Sequence, residues 1–138
     1  MKFVLDSSVA VKWAIPEVDS DKAVRLRDEF VRRIHDLIAP DFAPIEIAHA
    51  LTRAERQGRI AAEQVEQFLL DLIHTLPELH PWFPLLPDAV ALSLKKRIGI
   101  YDCLYIALAE QEQCKVVTAD ERLVKHFPSL TISLSSLP

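Results

Sequence analysis

With 138 residues, half of them apolar, the chain suits one globular domain, residues 1–138, whose core needs no disulfide or metal staple. A formal charge of -4 argues against binding nucleic acid by bulk electrostatics, leaving local basic stripes and bound cations for that purpose. The two glycines, Gly58 and Gly99, form neither a GxGxxG nor a GxxxxGK[ST] pattern, which disfavours dinucleotide and P-loop nucleotide binding.

Met1-Lys2 leads straight into Phe3-Val4-Leu5 and an acid, Asp6. That apolar stretch is too short for a signal peptide, and no run approaches a membrane span, so the expected location is the cytoplasm. Cys103 and Cys114 lack ligand spacing, and Cys103 reads as a buried free thiol.

Phe3-Val4-Leu5 reads as a short buried strand, followed by a helix turn over Ser7 to Trp13 that stops before Pro16. From Asp19-Ser20 to about Arg33, Ala23, Val24, Leu26, Phe30, Val31 and Ile34 recur near a 3.6 period, which predicts an amphipathic helix capped by Asp or Ser. Leu37-Ile38-Ala39 is a second short strand ended by Pro40. Pro44 suits the first turn of a helix running to Gly58, and Ile60 to His74 forms another. Both glycines follow basic residues as C-terminal helix caps do.

Pro77, Pro81 and Pro84 make the segment Leu76 to Leu86 mostly extended, with an edge strand near Leu79 to Trp82. Pro87-Asp88 opens a helix to Arg97, and Tyr101 to Glu112 is a helix with an unusually apolar centre. Val116-Val117-Thr118 is a strand, Asp120 to His126 a helix turn and Leu130 to Leu134 a last strand. Short strands alternating with helices predict an α/β fold, a three-layer α/β/α sandwich around a mostly parallel central sheet.

In such a sheet the residues after the strands gather along one edge, where ligands bind. Asp6 and Asp120 follow strands, while Glu46 and Asp102 lie at helix starts, so all four acids are expected at that edge. Asp6, Asp102 and Asp120 equally suit helix N-caps, worth about 1 kcal/mol without any chemistry. Glu46 equally suits a solvated charge favoured by the helix dipole. Carboxylates drawn to about 4 Å repel by roughly 4 kcal/mol per pair at an effective dielectric of 20. A divalent cation resolves that repulsion, and an all-carboxylate set selects Mg²⁺ or Mn²⁺ over zinc. Phosphodiester hydrolysis is the natural reaction of such a centre.

The stretches Phe3-Val4-Leu5-Asp6-Ser7-Ser8, Pro44-Ile45-Glu46, Tyr101-Asp102-Cys103-Leu104-Tyr105-Ile106-Ala107-Leu108-Ala109 and Val116-Val117-Thr118-Ala119-Asp120-Glu121-Arg122-Leu123 occur in that order over nearly the whole chain. In this the sequence resembles the PIN-domain family, specifically the VapC-type toxins of bacterial toxin–antitoxin modules. The resemblance implies that Asp6, Glu46, Asp102 and Asp120 hold one or two ions. It implies also that Ser8 and Thr118 orient the neighbouring acids. Each has a plain alternative, a helix-start hydroxyl for Ser8 and an ordinary strand residue for Thr118. RNA cleavage, a homodimer and a VapB-like antitoxin whose basic side chain enters the acidic pocket follow from the same resemblance. Cys103 stands where many relatives carry Ala, which leaves the acids intact.

Two other classes remain open. One is a non-catalytic PIN-like interaction module, for which loss of at least one acid is expected. The other is a phosphatase or receiver-like domain with Asp6 as phosphoacceptor, although Ser8 stands where a DxD start wants its second acid. The Arg25, Arg27, Arg32, Arg33 group and the Arg53, Arg56, Arg59 group read first as solvated helix faces, and Lys12, close in sequence to Asp6 and Ser8, is a better candidate than either to guide RNA.

Overall fold

Phe3, Val4 and Leu5 are all buried although their side chains alternate in direction, which requires a strand covered on both faces. The computed structural model, which describes residues 1–138, shows that strand as β1 (Lys2–Leu5) at the centre of a five-stranded sheet. The others are β2 (Asp36–Pro40), β3 (Glu78–His80), β4 (Lys115–Thr118) and β5 (Thr131–Ser133). Their order is β3-β2-β1-β4-β5 and every pairing is parallel. The sheet is thus wholly parallel rather than mostly so.

Seven α-helices cover it: α1 (Ser7–Ala10), α2 (Ser20–Val31), α3 (Ala43–Arg56), α4 (Ala62–His74), α5 (Leu86–Lys96), α6 (Ile100–Gln111) and α7 (Glu121–His126). One core packs Phe3, Leu5, Leu37 and Val117 against residues of the first four helices, among them Val9, Leu26, Leu51 and Leu72. The other packs Val4, Ile38 and Val116 against Ala89 of α5, Leu123 of α7 and the run Cys103 to Ala109 of α6. These are the three expected layers. The run in α6 is buried all round because that helix contacts the sheet and α5 together.

Some boundaries differ from the sequence reading. Phe83–Leu85 forms a 3-10 turn and Leu86 already opens α5, so the proline-rich segment is extended only around β3. Gly58 does take a left-handed φ of 72° past α3. Gly99, by contrast, is the N-cap of α6 with φ -57°, and Arg97 takes the left-handed turn that closes α5, with φ 60°. Asp19 precedes α2 with φ 64° and makes no side-chain cap; Ser20 Oγ instead accepts from Glu17 N at 2.8 Å.

The strand order creates a reversal at the β1/β4 pair. From β1 the chain moves outward through β2 to β3, then returns to β4 on the other side of β1. Crevices at the carboxyl ends of such strands are where open α/β sheets bind ligands.

Candidate active site

Asp6 follows β1 directly and Thr118 ends β4, so the reversal point brings together residues 112 positions apart. The Thr118 hydroxyl donates to Asp6 Oδ2 at 2.7 Å and the Ser8 hydroxyl donates to the same oxygen at 2.6 Å. Ser8 Oγ accepts from Ala119 N at 3.1 Å, and Thr118 Oγ1 accepts from Asp120 N at 3.0 Å. The hydroxyls therefore tie the β1 and β4 ends to one another and fix the carboxylate between them.

Capping explains Asp120 and neither Asp6 nor Asp102. Asp120 Oδ1 accepts from Arg122 N at 2.9 Å and Leu123 N at 3.4 Å, as an N-cap does. Asp6 occupies the N-cap position of α1 but its side chain makes no cap bond. Asp102 lies in the first turn of α6 behind its N-cap Gly99, and its recorded partner is Arg122, with Nη2 at 3.4 Å from Oδ2.

Glu46 projects from the first turn of α3. It accepts at Oε1 from the Tyr105 hydroxyl at 2.8 Å and from the Ser7 hydroxyl at 3.3 Å. Tyr105 is fully buried and packs edge-on against Phe42, their ring centroids 5.4 Å apart. The solvated-charge reading of Glu46 does not fit this setting.

Burial pushes the Asp6 carboxyl up to about 6, opposed by the two hydroxyl bonds and reinforced by the charges of Asp102 and Glu46. Burial also raises Glu46, against the Tyr105 and Ser7 bonds, and Asp102 adds repulsion. Asp102 is raised by burial and by Asp120, with Arg122 working the other way. Three carboxyls with mutual repulsion thus stand short of positive charge. Asp6 Oδ1 and Glu46 Oε2 have no hydrogen-bond partner in the protein.

An all-oxygen donor set of this charge fits a hard divalent cation. No group of three or more His, Cys, Asp or Glu side chains is drawn tightly enough to enclose an ion. Arg122 engages Asp102 and Asp120 from one side, with Nη2 at 3.9 Å from Asp120 Oδ2. Two hollows flank the cluster. One, about 440 Å³, is lined by Ser7, Phe42, Ile45, Glu46, His49 and Tyr101. The other, about 400 Å³, includes Ser8, Lys12, Glu17 and Asp120.

Lys12 lines that second hollow, but its Nζ is engaged by Glu17 Oε2 at 3.0 Å and by the Val18 carbonyl at 2.9 Å. Its role as an RNA guide loses force accordingly. The sequence reading also passed over Ser7, Tyr105 and Arg122, each of which bonds to one of the four acids.

A model of the PIN domain matches residues 3–127. The chain belongs to the PIN-domain family. Ribonuclease VapC3 of Pyrobaculum aerophilum is 33% identical over 132 residues, covering 94% of this chain and 98% of that protein. Ribonuclease VapC3 of Mycobacterium tuberculosis is 32% identical over 126 residues, covering 91% and 88%. Among solved structures, PAE2754 from P. aerophilum superposes with a TM-score of 0.73 at 20% identity, covering 99% of this PIN domain and 91% of that chain. VapBC2 from Rickettsia felis, bound to a DNA fragment from their promoter, gives 0.68 at 14% identity, covering 96% and 98%. At these identities the structures establish the fold alone. No helix of this PIN domain is long and apolar enough to cross a membrane.

Proposed function

We propose that this PIN domain is a divalent-metal-dependent endoribonuclease, the toxin of a toxin–antitoxin pair, with Asp6, Glu46, Asp102 and Asp120 as metal ligands. The observation that carries the reading is the Asp6 carboxyl, held by two hydroxyls beside Asp102 and Glu46, which burial, reinforced by those two charges, pushes up to about 6. Such a grouping is unfavourable by itself and becomes favourable when a cation joins it. The VapC ribonuclease relatives supply the reaction class.

Held by Asp6, Glu46, Asp102 and Asp120, Mg²⁺ or Mn²⁺ would supply Lewis acidity to a phosphodiester and lower the pKa of a bound water. The protein's own part is positioning. Ser8 and Thr118 hold Asp6 in one orientation and leave its Oδ1 available, while Tyr105 and Ser7 do the same for Glu46 and its Oε2. Burial of Asp6 away from water strengthens the bonds made to it. The two hollows beside the acids, about 440 and 400 Å³, support the reading as room for an RNA strand.

The phosphoacceptor reading is weaker. Asp6 is 5% exposed with Oδ2 bound by two hydroxyls, which suits a fixed ligand better than an attacking nucleophile. A VapB-like antitoxin is proposed by likeness to the VapBC2 assembly. The homodimer is carried by the family resemblance, with Ile45, Phe83 and Leu94 standing largely exposed as apolar side chains for such contacts.

The test is cleavage of RNA by the purified chain with Mg²⁺ or Mn²⁺. Chelator and Asp102→Asn are each expected to abolish it, and cleavage that survives both refutes the mechanism.

A further inference from the structure

Arg122 is the second residue of α7, and its guanidinium lies against two acids of the cluster, Nη2 at 3.4 Å from Asp102 Oδ2 and 3.9 Å from Asp120 Oδ2. The Arg122 side chain is 61% exposed, against 29% for Asp102 and 36% for Asp120. It stands outside the acids, on their solvent side. Nη2 alone makes the contact, and the remaining guanidinium donors have no acceptor in the protein.

The contact is long at 3.4 Å and lacks the two parallel bonds by which arginine often grips a carboxylate. A single-nitrogen contact at this exposure holds weakly and is readily exchanged. The planar fork left facing solvent is also the group best matched to a phosphate. Lys12, which lines the hollow beside Asp120, is engaged by Glu17 instead.

We infer that Arg122 is a phosphate-binding residue held in store on Asp102 and Asp120. A divalent cation taken up by those acids displaces the guanidinium, which then engages a non-bridging oxygen of the RNA phosphodiester. This rests on the ribonuclease reading above. Guanidinium and cation compete for the same two carboxylates, so Arg122 opposes cation binding while it promotes substrate binding. A merely structural arginine, one that orients Asp102, moves both properties in the same direction.

The experiment compares the full chain with Arg122→Ala and Arg122→Lys. Calorimetry with Mn²⁺ alone measures cation affinity, and cleavage of a single-stranded RNA at saturating Mn²⁺ measures the reaction. Arg122→Ala keeps the backbone N–H that Asp120 accepts, so the α7 cap survives. Its Mn²⁺ affinity is expected to rise about two- to five-fold. Its kcat/KM is expected to fall about ten- to hundred-fold, the worth of a charged hydrogen bond to phosphate. Arg122→Lys recovers part of both changes. Mn²⁺ affinity that falls or stays level in Arg122→Ala, or cleavage equal to the parent, overturns this inference while a parent that binds Mn²⁺ and cleaves RNA leaves the ribonuclease reading standing. A parent that neither binds nor cleaves removes both.

Discussion

Tyr105, fully buried in the middle of α6, donates its hydroxyl to Glu46 Oε1 on α3 across a distance of 2.8 Å. Burial and the charges of Asp6 and Glu46 push the phenol well above its usual range, so it remains a donor throughout the working pH of the protein. Phe42, edge-on to both Tyr105 and Tyr101, braces the ring. One side chain therefore links the helix layer behind the sheet to a carboxylate at its edge.

Tyr105→Phe keeps the ring packing and removes that donor. Glu46 loses its shortest hydrogen bond, which favoured the charged form, so its carboxyl titrates still higher and holds a cation less well. Chemical denaturation is expected to show a loss of about 1 kcal/mol. Mn²⁺ titration is expected to show weaker binding, and an affinity equal to the parent contradicts the role given to this bond.

Asp6 makes the pH dependence of stability specific. Its folded pKa, about 6, lies above the ordinary value of 3.8, so between those values the folded state binds more protons than the unfolded state. This group's contribution to stability is therefore fully present below the lower value, falls as pH rises through the window, and is gone above about 6. In chelator, Asp6→Asn removes that fall and is expected to leave the protein more stable at pH 7 by on the order of 3 kcal/mol. Denaturation of both proteins from pH 4 to 7 checks it. Parallel curves contradict it.

Thr118→Val preserves shape while removing the bond to Asp6 and the acceptor for Asp120 N. An unpaired backbone donor is expected to destabilise by about 1–3 kcal/mol. Asp6, having lost a bond to its charged form, titrates higher, and the acid limb of the pH–rate profile for RNA cleavage moves to higher pH. An acid limb in its original place contradicts the coupling of Thr118 to Asp6.

The layers and strands were legible because a parallel sheet covered on both faces leaves short runs such as Phe3-Val4-Leu5 and Val116-Val117-Thr118, and few other local patterns produce them. Gly99 misled because basic residues before a glycine resemble a helix end. The left-handed residue is Arg97, two positions earlier. Asp6, Asp102 and Asp120 were alike as potential caps, since capping depends on where a side chain turns rather than on its spacing. Only the structure separates Asp120, which caps α7, from Asp6, whose carboxylate turns to Ser8 and Thr118. Tyr105 read as one more residue of an apolar helix because its partner on α3 is 59 positions away. Arg122 carried no signal of its own, as its pairing with Asp102 arises from the way α6 and α7 meet at the sheet edge.

Anomalous diffraction from crystals of the chain grown with Mn²⁺ tests the shared cation most directly. The account predicts a peak at about 2.0–2.2 Å from a carboxylate oxygen of Asp6 and from at least one oxygen of Glu46, Asp102 or Asp120. Strong Mn²⁺ sites elsewhere, with none among these acids in a protein that still cleaves RNA, would contradict it.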